Sequence, residues 1–269
     1  MEKVKINMIG GGFQHQECSS HLNVTKDVEW VKDGSADISF HIDGALLSKT
    51  NPSKKNYGLI YEASQQTYRH VMSQIRNNIS QIENNYELIF THDRRLVSLS
   101  KKMRLVPAHQ VPWIGDRKIH KKSKLLSMIA STKTMCPAHV YRQSVWKKYV
   151  NQLDLFGTGH NPSREIEKKE IGLNDYYFSI VVENDNYPDW ISEKVTDCFA
   201  TGTIPIYWGT PTIGEFFNEK GIITLTDDFK VSDLSPELYY SKMEYIEDNF
   251  ERVMNMPISE DYIYNKFIK

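Results

Sequence analysis

Residues 176–209 read YYFSIVVENDNYPDWISEKVTDCFATGTIPIYWG, and this stretch decides the fold. The apolar, β-branched run at 178–182 predicts a buried strand, and the polar segment at 183–189 predicts a loop. A second apolar run at 204–208 predicts another buried strand. Two strands that are apolar along their whole length are typical of a parallel sheet covered on both faces.

A short helix is predicted between these two strands. Val195, Cys198 and Phe199 recur at the i, i+3, i+4 spacing of one helix face, and Gly202 ends the helix. Strand, helix and strand together predict a βαβ crossover. Ligands of such sheets usually bind beyond the carboxyl ends of the strands, so we expect the functional residues in the loop that precedes this helix.

Six polar or charged residues lie between the end of the first strand and the first turn of the helix: Glu183, Asn184, Asp189, Ser192, Glu193 and Lys194. A helix N-terminus has unpaired N–H groups and about half a positive charge, so Lys194 beside it would complete a seat for phosphate. A carboxylate there can accept hydrogen bonds from sugar hydroxyls. The structural alternative is that Asp189 or Ser192 is an N-cap and Glu193 a first-turn acid favoured by the dipole.

The segment VVENDNYPDWISEKVTDCFATGTIPIYWGTPTIGEFF, residues 181–217, resembles the signature of the family 10 glycosyltransferases, the α-1,3/1,4-fucosyltransferases. That signature has an EN…(Y/W)(V/I)(T/S)EK block, then an (I/V)P(I/V) strand and a G(S/T)P turn. The resemblance implies an α/β GT-B fold, with two Rossmann-like doubly wound domains facing a cleft. It also implies GDP-fucose as the donor, inversion at the anomeric carbon and no catalytic metal.

The resemblance also implies roles for the residues of this block. Lys194 would bind the diphosphate and Glu193 the ribose hydroxyls, while Asn184 and Trp190 would help to form the donor pocket. Glu183 is grouped with them on the donor-binding side. Trp190 stands where the family often has Tyr, which removes a hydroxyl from that position.

A second donor-binding segment is PAHVYRQSVWKKY, residues 137–149, which resembles the first helix of the family's donor domain. Arg142 stands at the place of the Arg that reaches the pyrophosphate in the family, and a guanidinium fork suits phosphate oxygens. The alternative for Arg142 is a solvated surface position. No convincing Asp-x-Asp motif is present, since Asp227-Asp228 has the wrong spacing, so we expect neither a metal nor a cofactor beyond the GDP-sugar co-substrate.

The catalytic base is expected at a strand tip in the first half of the chain, because an attacking hydroxyl must lose its proton. Glu62 ends the predicted strand 57–62, in the region where the family keeps its catalytic Glu. The alternative base is the pair His92 and Asp93, at the tip of the predicted strand 86–90. Asp93 could instead cap the helix that follows it.

Composition excludes several classes of function. The chain has 269 residues, 40% of them hydrophobic and 25% charged, with a net charge of −1, so it has no general attraction to nucleic acid or membranes. Its three cysteines lack metal-site spacing and are expected to be reduced. The opening MEKVKINMIGGG resembles a strand rather than a signal peptide, and no transmembrane segment is predicted. We therefore expect a soluble, cytoplasmic protein.

Alternating strands and helices predict an acceptor-side α/β domain at 1–112 and a donor-binding α/β domain at 113–269. By resemblance, the C-terminal helices are expected to cross back onto the first domain. Apolar spacing predicts one continuous helix over 68–82 and another over 235–253. In a GT-B protein the glycine-rich turn at 10–12 would face the interdomain cleft, where Phe13, Gln14 and His15 would contact the acceptor.

The sequence thus predicts an inverting glycosyltransferase that transfers fucose from GDP-fucose to a hydroxyl of a glycan acceptor. Two alternatives stay open: a transferase that uses another GDP-hexose, and a non-catalytic module that binds glycans. The first alternative stays open because the contacts that would recognise the donor sugar are not visible in the sequence. The Glu193-Lys194 pair argues against the second.

Overall fold

The computed structural model describes residues 2–10, 18–63, 69–107 and 111–269. The chain divides into two compact units. The first comprises Met1–His109, Pro188–Trp190 and Pro257–Lys269, and the second comprises Gln110–Tyr187 and Ile191–Met256. The sequence-based division after residue 112 lies close to the start of the second unit. Residues 11–15, expected to contact the acceptor, lie outside the described part of the chain.

The described residues of the first unit form six strands: β1 (Val4–Ile9), β2 (Val28–Val31), β3 (Ile38–Ile42), β4 (Lys55–Ile60), β5 (Ile89–Thr91) and β6 (Met103–Leu105). All pair in parallel in the order β2-β1-β3-β4-β5-β6. Both faces of this sheet are buried, because Phe90 packs in one apolar cluster and its neighbour Ile89 in the other. β4 and β5, which precede the candidate bases, are both interior strands.

Between β4 and β6 the described residues form three α-helices: α1 (Arg69–Asn77), α2 (Ile79–Ile82) and α3 (Arg94–Val97). The prediction of one continuous helix over 68–82 is wrong, because the helix is interrupted at Asn78. The Asn78 backbone, with φ −117° and ψ 15°, leaves the helical region at this residue.

The second unit has five strands: β7 (Lys124–Ile129), β8 (Asp154–Phe156), β9 (Tyr176–Val182), β10 (Ile204–Trp208) and β11 (Ile223–Thr224). They are parallel, in the order β11-β10-β9-β7-β8. Along β9, Phe178 and Ile180 pack in one apolar cluster and Val181 in the other. The predicted fully buried strand is confirmed.

Four helices belong to this unit: α4 (Pro137–Tyr149), α5 (Glu193–Thr201), α6 (Pro236–Tyr240) and α7 (Met243–Met254). Gly202 ends α5 as predicted, in the left-handed conformation with φ 69°. The predicted single helix over 235–253 is wrong, since α6 and α7 are separated. There the Ser241 hydroxyl donates to the carbonyl of Leu238 at 2.7 Å.

The C-terminal segment Pro257–Lys269 is part of the first unit and contains α8 (Ser259–Ile263). The fully buried Glu260 carboxylate accepts from the Ser19 hydroxyl at 2.9 Å and from the Trp30 indole N–H at 3.1 Å. These bonds join the segment to the strand region of its unit. None of the helices in the described ranges is both long enough and apolar enough to cross a bilayer.

Candidate active site

The N-terminus of α5 lies at the carboxyl end of β9, where the sequence placed the site. Ser192 is the N-cap, and its hydroxyl accepts from the backbone N–H of Lys194 at 3.3 Å. Of the two N-cap alternatives, Ser192 is therefore the observed one. Glu193 and Lys194 occupy the first turn, where the helix dipole favours an anion.

Glu183 lies directly beneath this turn and is fully buried. Its carboxylate accepts from the Ser192 N–H at 3.0 Å and from the Ser192 hydroxyl at 2.6 Å, and Lys194 Nζ lies 3.6 Å from it. Burial raises the pKa of Glu183, although the charge of Lys194 and the hydrogen bonds from Ser192 act in the opposite direction. Glu183 thus connects the end of β9 to the start of α5 and holds the ammonium of Lys194 beside the helix N-terminus.

Arg142 projects from α4 and is only 5% exposed. Its guanidinium donates to the Ser131 hydroxyl at 3.2 Å and lies 3.5 Å from the side-chain oxygen of Asn184. Its Nε has no hydrogen-bond partner in the described structure, and no described carboxylate pairs with it. Burial lowers the pKa of Arg142, as expected for a cation held without a counter-charge. The surface alternative is therefore wrong.

Asn184 supports Arg142 from the loop after β9. Its side-chain oxygen lies 3.2 Å from His139 Nε2, while His139 Nδ1 accepts from the Met135 N–H at 3.2 Å. Burial, with Arg142 nearby, lowers the pKa of His139 to about 4, so this histidine is neutral near pH 7. Because Nδ1 accepts a hydrogen bond, the proton of the neutral ring lies on Nε2. Nε2 therefore donates to the side-chain oxygen of Asn184 and fixes the position of this oxygen beside Arg142.

A cavity of about 290 Å³ opens in the second unit beside these cations. Its polar lining residues are Ser131, Arg142, Thr158, Glu167, Lys169, Ser179, Glu193, Lys194 and Asp197. Gly157 also lines it, with φ 128°, and a Cβ there would lie 2.0 Å from the carbonyl oxygen of Ala130. The cavity has nearly the volume of a small-ligand site and brings together Arg142, Glu193 and Lys194. Glu183, Asn184 and Trp190 are not among its lining residues.

Lys169, Asp197 and Glu193 form a charged cluster at this lining. Lys169 Nζ lies 3.2 Å from Glu193 Oε1 and 2.8 Å from Asp197 Oδ2. Asp197 is 1% exposed and also accepts from the backbone N–H of Trp113 at 2.7 Å. Burial raises the pKa of Asp197 to about 6 although Lys169 opposes the shift.

Trp190 lies in the first unit with its neighbour Asp189. The indole is 2% exposed and packs edge-on against the His92 ring, with ring centroids 4.9 Å apart. The Asp189 carboxylate pairs with Arg94 through two bonds of 2.5 and 2.6 Å. Asp189 is held at φ 72°, an uncommon conformation for a residue other than glycine.

His92 and Asp93 follow β5, and both are buried. Asp93 caps α3 by accepting from the Arg95 N–H at 3.0 Å, and the Arg95 guanidinium donates to the same carboxylate at 2.7 and 2.8 Å. Burial lowers the pKa of His92 to about 4. The pair thus consists of a weakly basic imidazole and a carboxylate held by arginine, which favours the structural alternative for Asp93.

Glu62 follows the interior strand β4 and is half-buried. Its backbone N–H donates to Asp43 Oδ1 at 3.2 Å, and the Tyr61 N–H donates to the same oxygen at 2.8 Å. Asp43 is 5% exposed, and its second oxygen has no hydrogen-bond partner in the described ranges. Burial raises the pKa of Asp43 to about 6.

Sequence reasoning missed Ser131, Lys169, Asp197 and Asp43. Asp197 lies four residues after Glu193, so helical spacing alone places both carboxylates on one face. Ser131 and Asp43 follow parallel strands, and the rule that ligands bind at strand ends could have found them. Lys169 has no such signal, because it lies in a charged run that resembles a solvated surface.

Metal ions in proteins are held mainly by the side chains of His, Cys, Asp and Glu. The described ranges contain no group of three or more of these side chains arranged to hold a metal ion.

Both units are parallel α/β domains, the architecture of the GT-B fold, and the second holds a cavity lined by Arg142 and Lys194. Two solved structures share this fold at 14% sequence identity: an α1,3-fucosyltransferase with GDP, with a TM-score of 0.54, and one with GDP-fucose, with a TM-score of 0.52. Each match covers 95% of this chain and 82% of the other. The predicted GT-B fold is confirmed.

The model of glycosyltransferase family 10 (fucosyltransferase), C-terminal region, matches residues 119–255, just over half of the chain. The chain belongs to this family, as its sequence predicted. It is 30% identical over 103 residues to the alpha-(1,3)-fucosyltransferase FucT of Helicobacter pylori, a match covering 37% of this chain and 21% of the relative. It is 26% identical over 122 residues to the putative fucosyltransferase R654 of Acanthamoeba polyphaga mimivirus, a match covering 44% of this chain and 20% of the relative. The matches thus span about a fifth of these relatives.

Proposed function

We propose that this protein is an inverting fucosyltransferase that transfers fucose from GDP-fucose to a hydroxyl of a glycan acceptor. The observation that carries the proposal is Arg142, a buried guanidinium without a carboxylate partner in the described structure, at the wall of a 290 Å³ cavity. Leaving a buried charge uncompensated costs free energy, and an anionic ligand would recover it. Family membership and the likeness to structures with GDP and GDP-fucose support a nucleotide diphosphate as that anion.

The leaving group needs stabilisation because the β-phosphate oxygen takes the electron pair of the broken sugar–oxygen bond. Arg142, Lys194 and the N-terminus of α5 would supply it, as preorganised charges act most strongly where water is excluded. Glu193 would accept hydrogen bonds from the ribose hydroxyls. No step in this scheme requires a metal, so chelation with EDTA is expected to leave turnover unchanged.

The acceptor hydroxyl would attack the anomeric carbon on the side opposite to GDP, which inverts the configuration. Its proton must pass to a base as the new bond forms. We assign this role to Glu62, at the end of the interior strand β4. The His92 and Asp93 alternative is weaker, because burial lowers the pKa of His92 to about 4 and Arg95 holds the Asp93 carboxylate.

Calorimetry with GDP, GDP-fucose and UDP tests the donor proposal. We expect GDP to bind and UDP to bind weakly, and we expect release of GDP from GDP-fucose when a glycan acceptor is supplied. Absence of measurable GDP binding would contradict the proposal. Binding of GDP together with turnover of a different GDP-hexose would mean that the donor is that sugar nucleotide and not GDP-fucose. Glycan binding without any turnover would favour the non-catalytic module.

A further inference from the structure

Glu193 and Asp197 lie four residues apart on one face of α5, and Lys169 bridges them. The Lys169 ammonium lies 3.2 Å from Glu193 Oε1 and 2.8 Å from Asp197 Oδ2. Asp197 is 1% exposed, whereas the Glu193 side chain keeps 13% of its surface accessible. All three residues line the cavity of the second unit. One carboxylate of the pair is thus buried and fixed, and the other reaches the cavity.

The bridge is itself held in place by Trp113. Its backbone N–H donates to Asp197 Oδ1 at 2.7 Å, and its ring centroid lies 5.3 Å from Lys169 Nζ. Lys169 is therefore surrounded by two carboxylates and an aromatic face, all within the second unit. This arrangement satisfies the ammonium, so Lys169 differs from Arg142, whose charge has no carboxylate partner in the described chain.

We propose that Lys169 and Asp197 are positioning residues that hold the Glu193 carboxylate in the orientation needed to accept hydrogen bonds from the ribose diol of the donor nucleotide. The inference rests on the proposed function, since it requires a nucleotide in the cavity. A glutamate side chain loses rotamer entropy when it becomes ordered. The bridge orders Glu193 before the ligand arrives, so this cost does not reduce nucleotide affinity.

A comparison of two nucleotides isolates the contact. GDP and 2′,3′-dideoxy-GDP share the base and the diphosphate, but only GDP has the ribose hydroxyls. We expect the unmodified protein to prefer GDP by about tenfold or more, the size expected for a charge-assisted hydrogen bond. In Lys169→Met this preference should fall to about threefold or less, through weaker GDP binding, while affinity for the dideoxy nucleotide stays within about twofold.

Lys168→Met provides the matched control, because it removes the same charge from the neighbouring, exposed position. It should keep the preference of the unmodified protein. Lys169→Arg, which retains a cation, should restore most of it. If Lys169→Met weakened both nucleotides equally, or left the preference unchanged, the positioning role would be wrong.

Lys169→Met leaves a buried carboxylate unpaired and could therefore unfold the chain. The double variant Lys169→Met with Asp197→Asn removes both charges of the buried pair. We expect the melting temperature of the double variant to lie closer to that of the unmodified protein than the melting temperature of Lys169→Met does. The double variant should still show the reduced preference for GDP. Normal preference in the folded double variant would overturn the inference.

The failures of the two proposals are distinguishable in the unmodified protein. If it did not bind GDP at all, the proposed function would be wrong, and this inference would fail with it. If it bound GDP and the dideoxy nucleotide equally, only the positioning of Glu193 for the ribose would be overturned.

Discussion

The strand ends of the two units both carry buried charged groups, but these groups are compensated differently. In the first unit, Asp93 is fully buried and paired with Arg95, with Arg76 3.7 Å away. In the second unit, Arg142 is also buried and has no carboxylate partner in the described chain. A compensated charge is sufficient for a structural role, whereas an uncompensated one beside a cavity favours the binding of an anion. This difference supports the proposed donor site around Arg142.

The largest effect is expected from the base. Glu62→Gln should lower turnover about 10²- to 10⁴-fold, the range of general base catalysis, because the amide retains the shape and loses the basicity. Affinity for GDP should stay unchanged, since the substitution leaves the second unit intact. Initial rates with GDP-fucose and a glycan acceptor, together with calorimetry, measure both quantities. Near-normal turnover in Glu62→Gln, with an inactive His92→Ala, would assign the role of the base to His92. It would also contradict the structural role that the comparison gives to the buried charged groups of the first unit.

The next effect concerns the uncompensated cation. Arg142→Ala should weaken GDP binding by about 2–3 kcal/mol, the worth of a charge-assisted bidentate contact. Arg142→Lys should recover only part of this loss, because an ammonium cannot form the planar fork. Calorimetry at constant ionic strength gives the affinities.

Lys147→Ala is the control for Arg142, because it removes a positive charge from the exposed side of the same helix. It should change GDP affinity by much less than Arg142→Ala. If the two variants lost similar affinity, the effect would be one of general charge, and the buried guanidinium would have no special part in binding.

The α5 region could be predicted from sequence because its signals are local. The apolar run of β9, the N-cap Ser192 and the terminating Gly202 each act within a few residues of themselves. Arg142 was found through a family resemblance, and its spacing alone left a surface position open. Its burial depends on Ser131 and Asn184, which approach it only in the folded unit.

Contacts between distant parts of the chain explain what sequence could not give. Lys169 pairs with residues 24 and 28 positions further on, and no periodicity encodes such a contact. Trp190 stands in the donor signature and yet packs against His92, nearly a hundred residues earlier. The separate helices α1 and α2 reflect the non-helical backbone of Asn78, with φ −117° and ψ 15°.

A smaller effect is expected from the compensated carboxylate. Asp93→Asn should lower the free energy of unfolding by about 1–2 kcal/mol, because the amide can still cap α3 but no longer pairs with Arg95. The loss is limited since the Arg95 side chain is 37% exposed. GDP affinity should not change. Urea unfolding measures the stability, and a stable but catalytically inactive Asp93→Asn would show that this group belongs to the chemistry.

The smallest effect tests Asp43, a buried carboxylate of the first unit that accepts from backbone N–H groups without a cationic partner among the described residues. Burial raises the pKa of Asp43 to about 6 from its ordinary value of 3.8. Between these pH values the folded protein holds a proton that the unfolded chain has released, so stability is lost as pH rises. Asp43→Asn has no titrating group at this position and therefore does not lose this stability. From pH 4 to pH 7 the free energy of unfolding of Asp43→Asn should rise relative to that of the unmodified protein, by an amount on the order of 1 kcal/mol. Urea unfolding across this range checks the trend, with Asp37→Asn as the exposed control in the same unit. A constant difference between Asp43→Asn and the unmodified protein would mean that Asp43 keeps its charge in the folded state, and that backbone donors alone compensate a buried anion there.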